Sequence, residues 1–401
     1  MQENCKFVAK VEDKETEILI TKNSVEWFTS KKVHSVPFSL VVGTRISNKH
    51  SCTIKLLFFD LEEKKFTLQR FFLPEFRKLS QEVYSRTCEC PERNICVILN
   101  PISGEAKGAR LYQEVLHPVL KYSPIPFKTF ETNSGDFIAD MCRYIDLSRF
   151  TEFVCVGGDG TVHQLLTCLQ YFQPELLDNI KVGIFPAGSR NSLAVELGCK
   201  LPCLAALYIV KNYHFPGDLI KVKLDSRKLL ATTSVNWGIV TSIVEESQEF
   251  RAFGAFRYNL LGIKRFFQRW KLYRGTVKYK VSNQKFAVED NFLMCLVGNH
   301  RLPDSRSSEV ISPSERINNG KLGLTLLVNM GRYKAVKYFL ERAQGKEQSN
   351  DQNTYYEKVD KVTIAPKKEF AYNIDGEIYY SSKLKLEVWP KAIKYIGHPI
   401  Y

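Results

Sequence analysis

The chain lacks several things, and each gap removes a class of protein. No run of roughly 18 apolar residues occurs, so no segment reads as a membrane-spanning helix. The opening "MQENCKFVAK" has no basic-then-apolar pattern, which argues against a secretory signal. Eleven cysteines are scattered without paired CxxC sets, and Cys88 and Cys90 sit too close to suggest a disulfide framework. An intracellular protein with free thiols, cytoplasmic in location, is the expectation. Zinc-finger spacing and RNA-recognition signatures are absent, so nucleic acid is not an expected partner. There is no GxxxxGK[ST] phosphate loop and no HRD or DFG element of a protein kinase.

What is present is a 401-residue chain, 44% hydrophobic and 25% charged, with formal charge +14. That mix suits a soluble globular protein of two or three domains. The positive balance suits an anionic membrane surface or a phosphorylated ligand, and predicts peripheral association with membranes.

The rhythm changes twice along the chain. Residues 1–90 carry short alternating runs such as "ILITKNSVEWF" and "TIKLLFFDL", then "LPEFRKLSQEVYSRTC" with helical spacing at Phe76, Leu79 and Val83. This predicts a small β-rich module closed by a helix, of the pleckstrin-homology kind. Residues 91–212 alternate strand and helix, which predicts an α/β domain with a largely parallel sheet. Residues 213–401 are strand-rich, with helical segments near 252–273 and 333–345, and read as an antiparallel β-sandwich. The fold class is therefore α/β plus β.

Within the middle segment three glycine-rich turns each follow an apolar strand. They are "NPISGEAKG" after "ICVIL", "GGDGT" after "FVCV", and "PAGSRNSLA" after "VGIF". Glycine lets a backbone approach a phosphate and aim its N–H groups at it. The helix that follows adds its positive end. Three such turns at one sheet edge predict a nucleotide-phosphate site, because these sheets bind ligands at the carboxyl ends of their strands.

These turns, in this order and spacing, resemble the catalytic domain of diacylglycerol, sphingosine and ceramide kinases. The resemblance continues through "PGDLIKVKL", "VNWGIV", "FGAFRYNLLGIKRFF", "YRGTVKY" and "YNIDGEIYY", and spans residues 94–380. It implies an ATP-dependent lipid kinase using Mg2+, with a sphingoid base as first substrate and ceramide or diacylglycerol as alternatives. The C-terminal segment becomes the lipid-binding part.

The same resemblance distributes roles. Asp159 becomes the general base. Gly157, Gly158, Gly160 and Thr161 cradle phosphate. Asn100, Ser103 and Gly104 form the first nucleotide turn, and Gly188, Ser189 and Asn191 the third. Lys228 meets the nucleotide phosphates, and Asp375 with Glu377 lies near nucleotide and metal, although no metal ligand is assigned. Asp218 contacts the polar head of the lipid, where a carboxylate suits an amine. Phe256, Leu260, Ile263 and Phe267 recur at helical spacing and would line a lipid tunnel or pack as core.

Two departures from the family pattern stand out. Gln164 replaces an acidic residue, and Arg190 replaces a small one. They motivate a non-catalytic lipid-binding relative as a rival reading. A NAD kinase is another, since it also uses a GGDG turn in an α/β-plus-β architecture, but it leaves "PGDLIKV" and "FRYNLLGIKRFF" unexplained.

Overall fold

The computed structural model describes residues 4–398 apart from 12, 30–31, 49–51, 88–91, 189–190, 226, 248–269, 302–315, 345, 347–349 and 369. It is a mixed α/β structure with two sheets.

Alternation builds the first sheet. In Cys5–Val11 the buried positions are Phe7, Ala9 and Val11, with exposed residues between them, as a half-buried strand requires. Seven antiparallel strands follow one another in the spatial order 4-3-2-1-7-6-5. Helix Phe76–Thr87 lays Phe76, Leu79 and Val83 on their core. Trp27 is the anchor of that core, with Phe58 and Phe71 edge-on to it. This sheet also touches the rest of the chain. Val42 and Leu57 join the central core, and the Lys211 ammonium donates to the Phe38 carbonyl at 2.6 Å.

The second sheet begins as a parallel one. Strands Phe127–Glu131, Ile95–Leu99, Glu152–Gly157 and Lys181–Pro186 lie side by side in that order. The middle two are buried at every position, because helices cover both faces. At the amino edge, Arg93 forks onto Glu152 at 2.6 and 2.7 Å and also donates to the carbonyls of Ile209 and Val210. That pins helix Pro202–Val210 to the sheet end opposite the glycine turns.

The strand-rich second half has its own core around Trp237, Phe292 and Tyr372. Its last strand, Leu384–Ile396, belongs to both halves. Residues Leu384–Trp389 pair antiparallel with Leu219–Leu224, whereas Lys394–Ile396 add parallel to Lys181–Gly183. The chain thus returns to the parallel sheet at its end. Of the two expected helical segments, the second is helix Arg332–Ala343. Most of the first, 252–269, lies outside the described residues, and at its expected end Tyr273 opens the strand Tyr273–Val281 instead.

Candidate functional site

The three glycine turns meet at the carboxyl edge of the parallel sheet. Strand Glu152–Gly157 sits between the other two, and both of its neighbours bond to its end. Asn100 N–H donates to the Val156 carbonyl at 3.0 Å. Ala187 and Gly188 both donate to the Gly157 carbonyl at 3.0 Å. Turn-to-turn spacing leaves no room for side chains. A Cβ on Gly188 would lie 2.5 Å from the Gly158 Cα, and one on Gly104 would lie 1.9 Å from the Ala187 carbonyl oxygen. Gly104 also has a φ of +59°, which favours glycine. Glycine is therefore demanded here by backbone-to-backbone contact.

Two helices start from this cluster, Ser103–Leu111 and Asp159–Phe172. Ser103 donates its N–H to the Asn100 carbonyl at 3.3 Å, and Thr161 donates to the Gly158 carbonyl at 3.0 Å. The Thr161 hydroxyl fills the space beside Gly157. Asn191 sits at a φ of +53° and donates its side-chain amide to the Gly188 carbonyl at 2.8 Å. The Oδ1 atoms of Asn100 and Asn191 and the Ser192 hydroxyl are buried without a hydrogen-bond partner among the described residues. Unused buried polar atoms of this kind mark a place where a polar ligand completes the bonding.

The acidic residues divide into committed and uncommitted groups. Asp159 accepts the backbone N–H groups of Ser192 and Leu193 at 3.0 and 3.1 Å, one on each carboxylate oxygen. It ties the middle turn to the third. With each carboxylate oxygen engaged by a backbone N–H of the third turn, this geometry is that of a brace between the two turns.

Asp375 is committed more deeply. It opens the two-residue Asp-Gly turn of the hairpin Phe370–Ile374 to Glu377–Ser381, with φ values of +48° and +95° at Asp375 and Gly376. Its carboxylate accepts five bonds, from the N–H and hydroxyl of Thr232, the N–H and hydroxyl of Thr233, and the Ser234 N–H. His163 stands beside it. The ring Nδ1 donates to the Leu230 carbonyl at 2.8 Å, which leaves Nε2 to accept from the Tyr379 hydroxyl at 2.8 Å. Burial, with Glu377 and Asp375 nearby, pushes the Tyr379 hydroxyl up to about 12.

Glu377 differs from both. The same hairpin carries it over the middle turn, where a Cβ on Gly160 would meet its Oε1 at 3.1 Å. It is half-buried and has no hydrogen bond or ion pair among the described residues. The sequence paired it with Asp375, but the fold separates their work. Gln164, one turn into the helix, is half-buried.

Of two further expected site residues, Asp218 stands close to the Asp375 anchor, since Asn299 donates to the carbonyls of both Asp218 and Thr232 at 2.9 Å. Asp218 is fully buried inside strand His214–Leu224, at a register irregularity. Its oxygens accept the N–H groups of Gly320 at 2.6 Å and Lys391 at 2.7 Å. Burial raises its pKa, against the opposing pull of those bonds. Among the described residues the carboxylate joins two segments distant in sequence. Lys228 is exposed on strand Arg227–Ala231, where it stands opposite Lys223 and shares a groove with Gln170. Gln170 lies about 16 Å along the helix from Asp159, so Lys228 is remote from the glycine turns. Ser189, Phe256, Leu260, Ile263 and Phe267 lie outside the described residues.

Comparison with known proteins supplies a family. Residues 94–222 match the family model described as the diacylglycerol kinase catalytic domain. Sphingoid long-chain bases kinase 1 of Arabidopsis thaliana is 28% identical over 205 residues, 47% of this chain and 27% of that protein. Human ceramide kinase is 25% identical over 227 residues, 53% of this chain and 41% of its own length. The aligned region thus spans less than half of either relative. A diacylglycerol kinase crystal structure from Bacillus anthracis str. Sterne superposes with a TM-score of 0.56 at 17% identity, over 77% of this chain and 97% of that one. This likeness is one of fold.

Proposed function

The chain carries a diacylglycerol kinase catalytic domain at residues 94–222, and on that premise we propose that it is an ATP-dependent lipid kinase. It moves the γ-phosphoryl group of ATP to the primary hydroxyl of a sphingoid lipid. The observation that carries this reading is the mutual contact of three glycine turns beneath one uncommitted carboxylate, Glu377.

The turns fit a nucleotide phosphate chain. Gly104, Gly158 and Gly188 leave bare backbone at the sheet edge, and Asn100, Ser103, Gly160, Thr161 and Asn191 surround it. Phosphoryl transfer asks little covalent chemistry of a protein and depends on positioning and charge. Asp159 braces the middle turn against the third and so holds the phosphate cradle in shape. Asp375 anchors the hairpin that delivers Glu377. Glu377 takes the hydroxyl proton as the lipid oxygen attacks the γ-phosphorus and the bond to the bridging oxygen breaks, releasing ADP. A magnesium ion, when bound, would neutralise phosphate charge. Its ligands would be phosphate and water oxygens with at most one carboxylate, a donor set such ions accept.

The β-rich segment 1–90 is assigned as a pleckstrin-homology-like module, 91–212 as the nucleotide part and 213–401 as the β-sandwich lipid part. The enzyme works as a peripheral visitor to membranes.

A sphingoid base is the first substrate, and ceramide is a second reading with its own support. Asp218 is already engaged by two backbone N–H groups, which weakens the preference for a cationic amine over a neutral amide. Transfer of labelled phosphate from ATP to sphingosine, ceramide, diacylglycerol and NAD tests the reading. Product on either sphingolipid supports it, with sphingosine above ceramide for the first reading. Product on NAD alone, or on no acceptor, contradicts it.

A further inference from the structure

The face of the second sheet that points away from the Trp237 core carries an unbalanced row of lysines. Strands Arg227–Ala231, His214–Leu224, Leu384–Ile396 and Lys361–Pro366 lie side by side. Register places Lys228 opposite Lys223, and Lys223 opposite Lys385. In the next row Glu387 stands between Lys221 and Lys361. Alternate residues, Val222, Leu224, Leu384 and Leu386, are buried in the core beneath. Five lysines and one glutamate therefore share one exposed surface, along a groove of about 470 Å³.

Only the second row carries a counter-charge. Lys361 pairs with Glu387 at 2.7 Å, and the Lys221 ammonium lies 4.1 Å from the Trp389 ring centre. Lys223, Lys228 and Lys385 have no ion pair or hydrogen bond among the described residues. Like charges directly opposite across strands destabilise a sheet. With strands spaced about 4.8 Å apart, three lysines fall within roughly 10 Å. A fold that keeps such a row retains it against its own stability, which points to an anionic partner outside the chain.

We propose that this lysine row is the surface by which the protein docks on an anionic phospholipid bilayer. The inference rests in part on the lipid-kinase reading, since a lipid substrate is met in a bilayer. The chemistry of the face narrows the partner independently. Its charge is carried by lysine, a hydrated point charge, without the arginine forks that grip a phosphate bidentately. Its one aromatic ring, Trp389, is covered by Lys221, so no platform offers itself to stacked bases. The lysines stand exposed in a row and do not converge on a closed pocket, which fits many headgroups better than one soluble phosphate. Strand rise puts Lys228 about 13 Å from Thr232, beside Asp375. Docking and phosphate binding thus use separate charges.

Sedimentation of the full chain with vesicles tests the proposal, read without ATP or lipid substrate. Phosphatidylcholine vesicles are compared with vesicles doped with phosphatidylserine, for the parent and for Lys223→Gln/Lys385→Gln. Each lysine at an anionic surface contributes about fivefold in partition, so the double variant loses roughly 25-fold on doped vesicles. It stays unchanged on phosphatidylcholine alone, and its melting temperature holds or rises as like charges are removed. Equal partition of parent and variant overturns the proposal, as does a fall in melting temperature, which would make the lysines structural. Loss of oligonucleotide binding with vesicle binding kept also overturns it, in favour of nucleic acid. Because the readout needs no turnover, failure of lipid phosphorylation and failure of this surface are separate results.

Discussion

Helix Asp159–Phe172 has two ends that work by opposite means. At its start, backbone contacts backbone, and two of the acidic residues around it are bound by many donors, two on Asp159 and five on Asp375. At its far end, beside Gln170, Lys223, Lys228 and Lys385 project from a sheet face with no side-chain ion pair or hydrogen bond among the described residues. The first region is rigid and short of space, and specificity there comes from geometry. The second is open, and whatever it does comes from charge. A substitution at the first end should act through shape and stability. One at the second should act through ionic attraction and leave the fold alone.

The largest effect sought at the crowded end is on folding. Asp375→Ala strands five donors from Thr232 to Ser234, and breaking a buried charged network of this kind costs roughly 3–5 kcal/mol. A denaturant midpoint measures it. A loss under about 1 kcal/mol, the size of one ordinary hydrogen bond, would mean that Asp375 is not the anchor of the hairpin.

Acid provides a second probe of the crowded end. His300 is fully buried, and burial lowers its pKa to about 4, with Asp375 pulling weakly the other way. In the unfolded chain a histidine titrates near 6.5. The folded value is depressed, so the unfolded state binds more protons between the two values. Stability is therefore full above about pH 6.5 and is lost as pH falls towards 4, by roughly 3 kcal/mol. Glu196, whose Oε2 is 4.0 Å from the ring, has its pKa raised by burial and opposes this trend. Urea midpoints across that window should decline for the parent and flatten for His300→Gln. A parent curve that is already flat would contradict the assignment.

A smaller effect belongs to the turns themselves. Gly104→Ala must move the Ala187 carbonyl and hold alanine at positive φ. Overpacking of this kind costs about 1–3 kcal/mol, and it should appear as weaker ATP binding by calorimetry. Lys223→Gln at the open end should leave ATP binding unchanged, and a matching loss there would erase the distinction between the two ends.

What the sequence made legible follows the range of the forces involved. The glycine turns could be read because a tight strand-to-helix turn is a local demand. The same holds for the first-sheet helix, whose spacing at Phe76, Leu79 and Val83 is the buried stripe observed. The resemblance makes Asp159 the base, while its donors, Ser192 and Leu193, are 33 and 34 residues away and are not legible beside it. The resemblance puts Asp218 at the lipid head, while its donors, Gly320 and Lys391, are 102 and 173 residues distant and equally hidden from a linear reading. Lys228 goes to the nucleotide by resemblance, while the register that sets it beside Lys223 and near Lys385 is not written in any one segment. Nor does a linear reading reveal that the final strand re-enters the parallel sheet at Lys394–Ile396.

The central claim is that the proton acceptor is Glu377, whereas Asp159 is a brace. Labelled phosphate transfer from ATP to sphingosine and to ceramide, measured for Glu377→Gln and Asp159→Asn beside the parent, tests it most directly. Glu377→Gln should keep its melting temperature and its ATP affinity and lose at least two orders of magnitude in kcat. Asp159→Asn should lose stability, by about 1 kcal/mol, through the weakened brace on Ser192 and Leu193, with a smaller fall in kcat. Near-parental turnover in folded Glu377→Gln, together with a collapse of kcat in an equally stable Asp159→Asn, would contradict the account and return the base to the glycine turn.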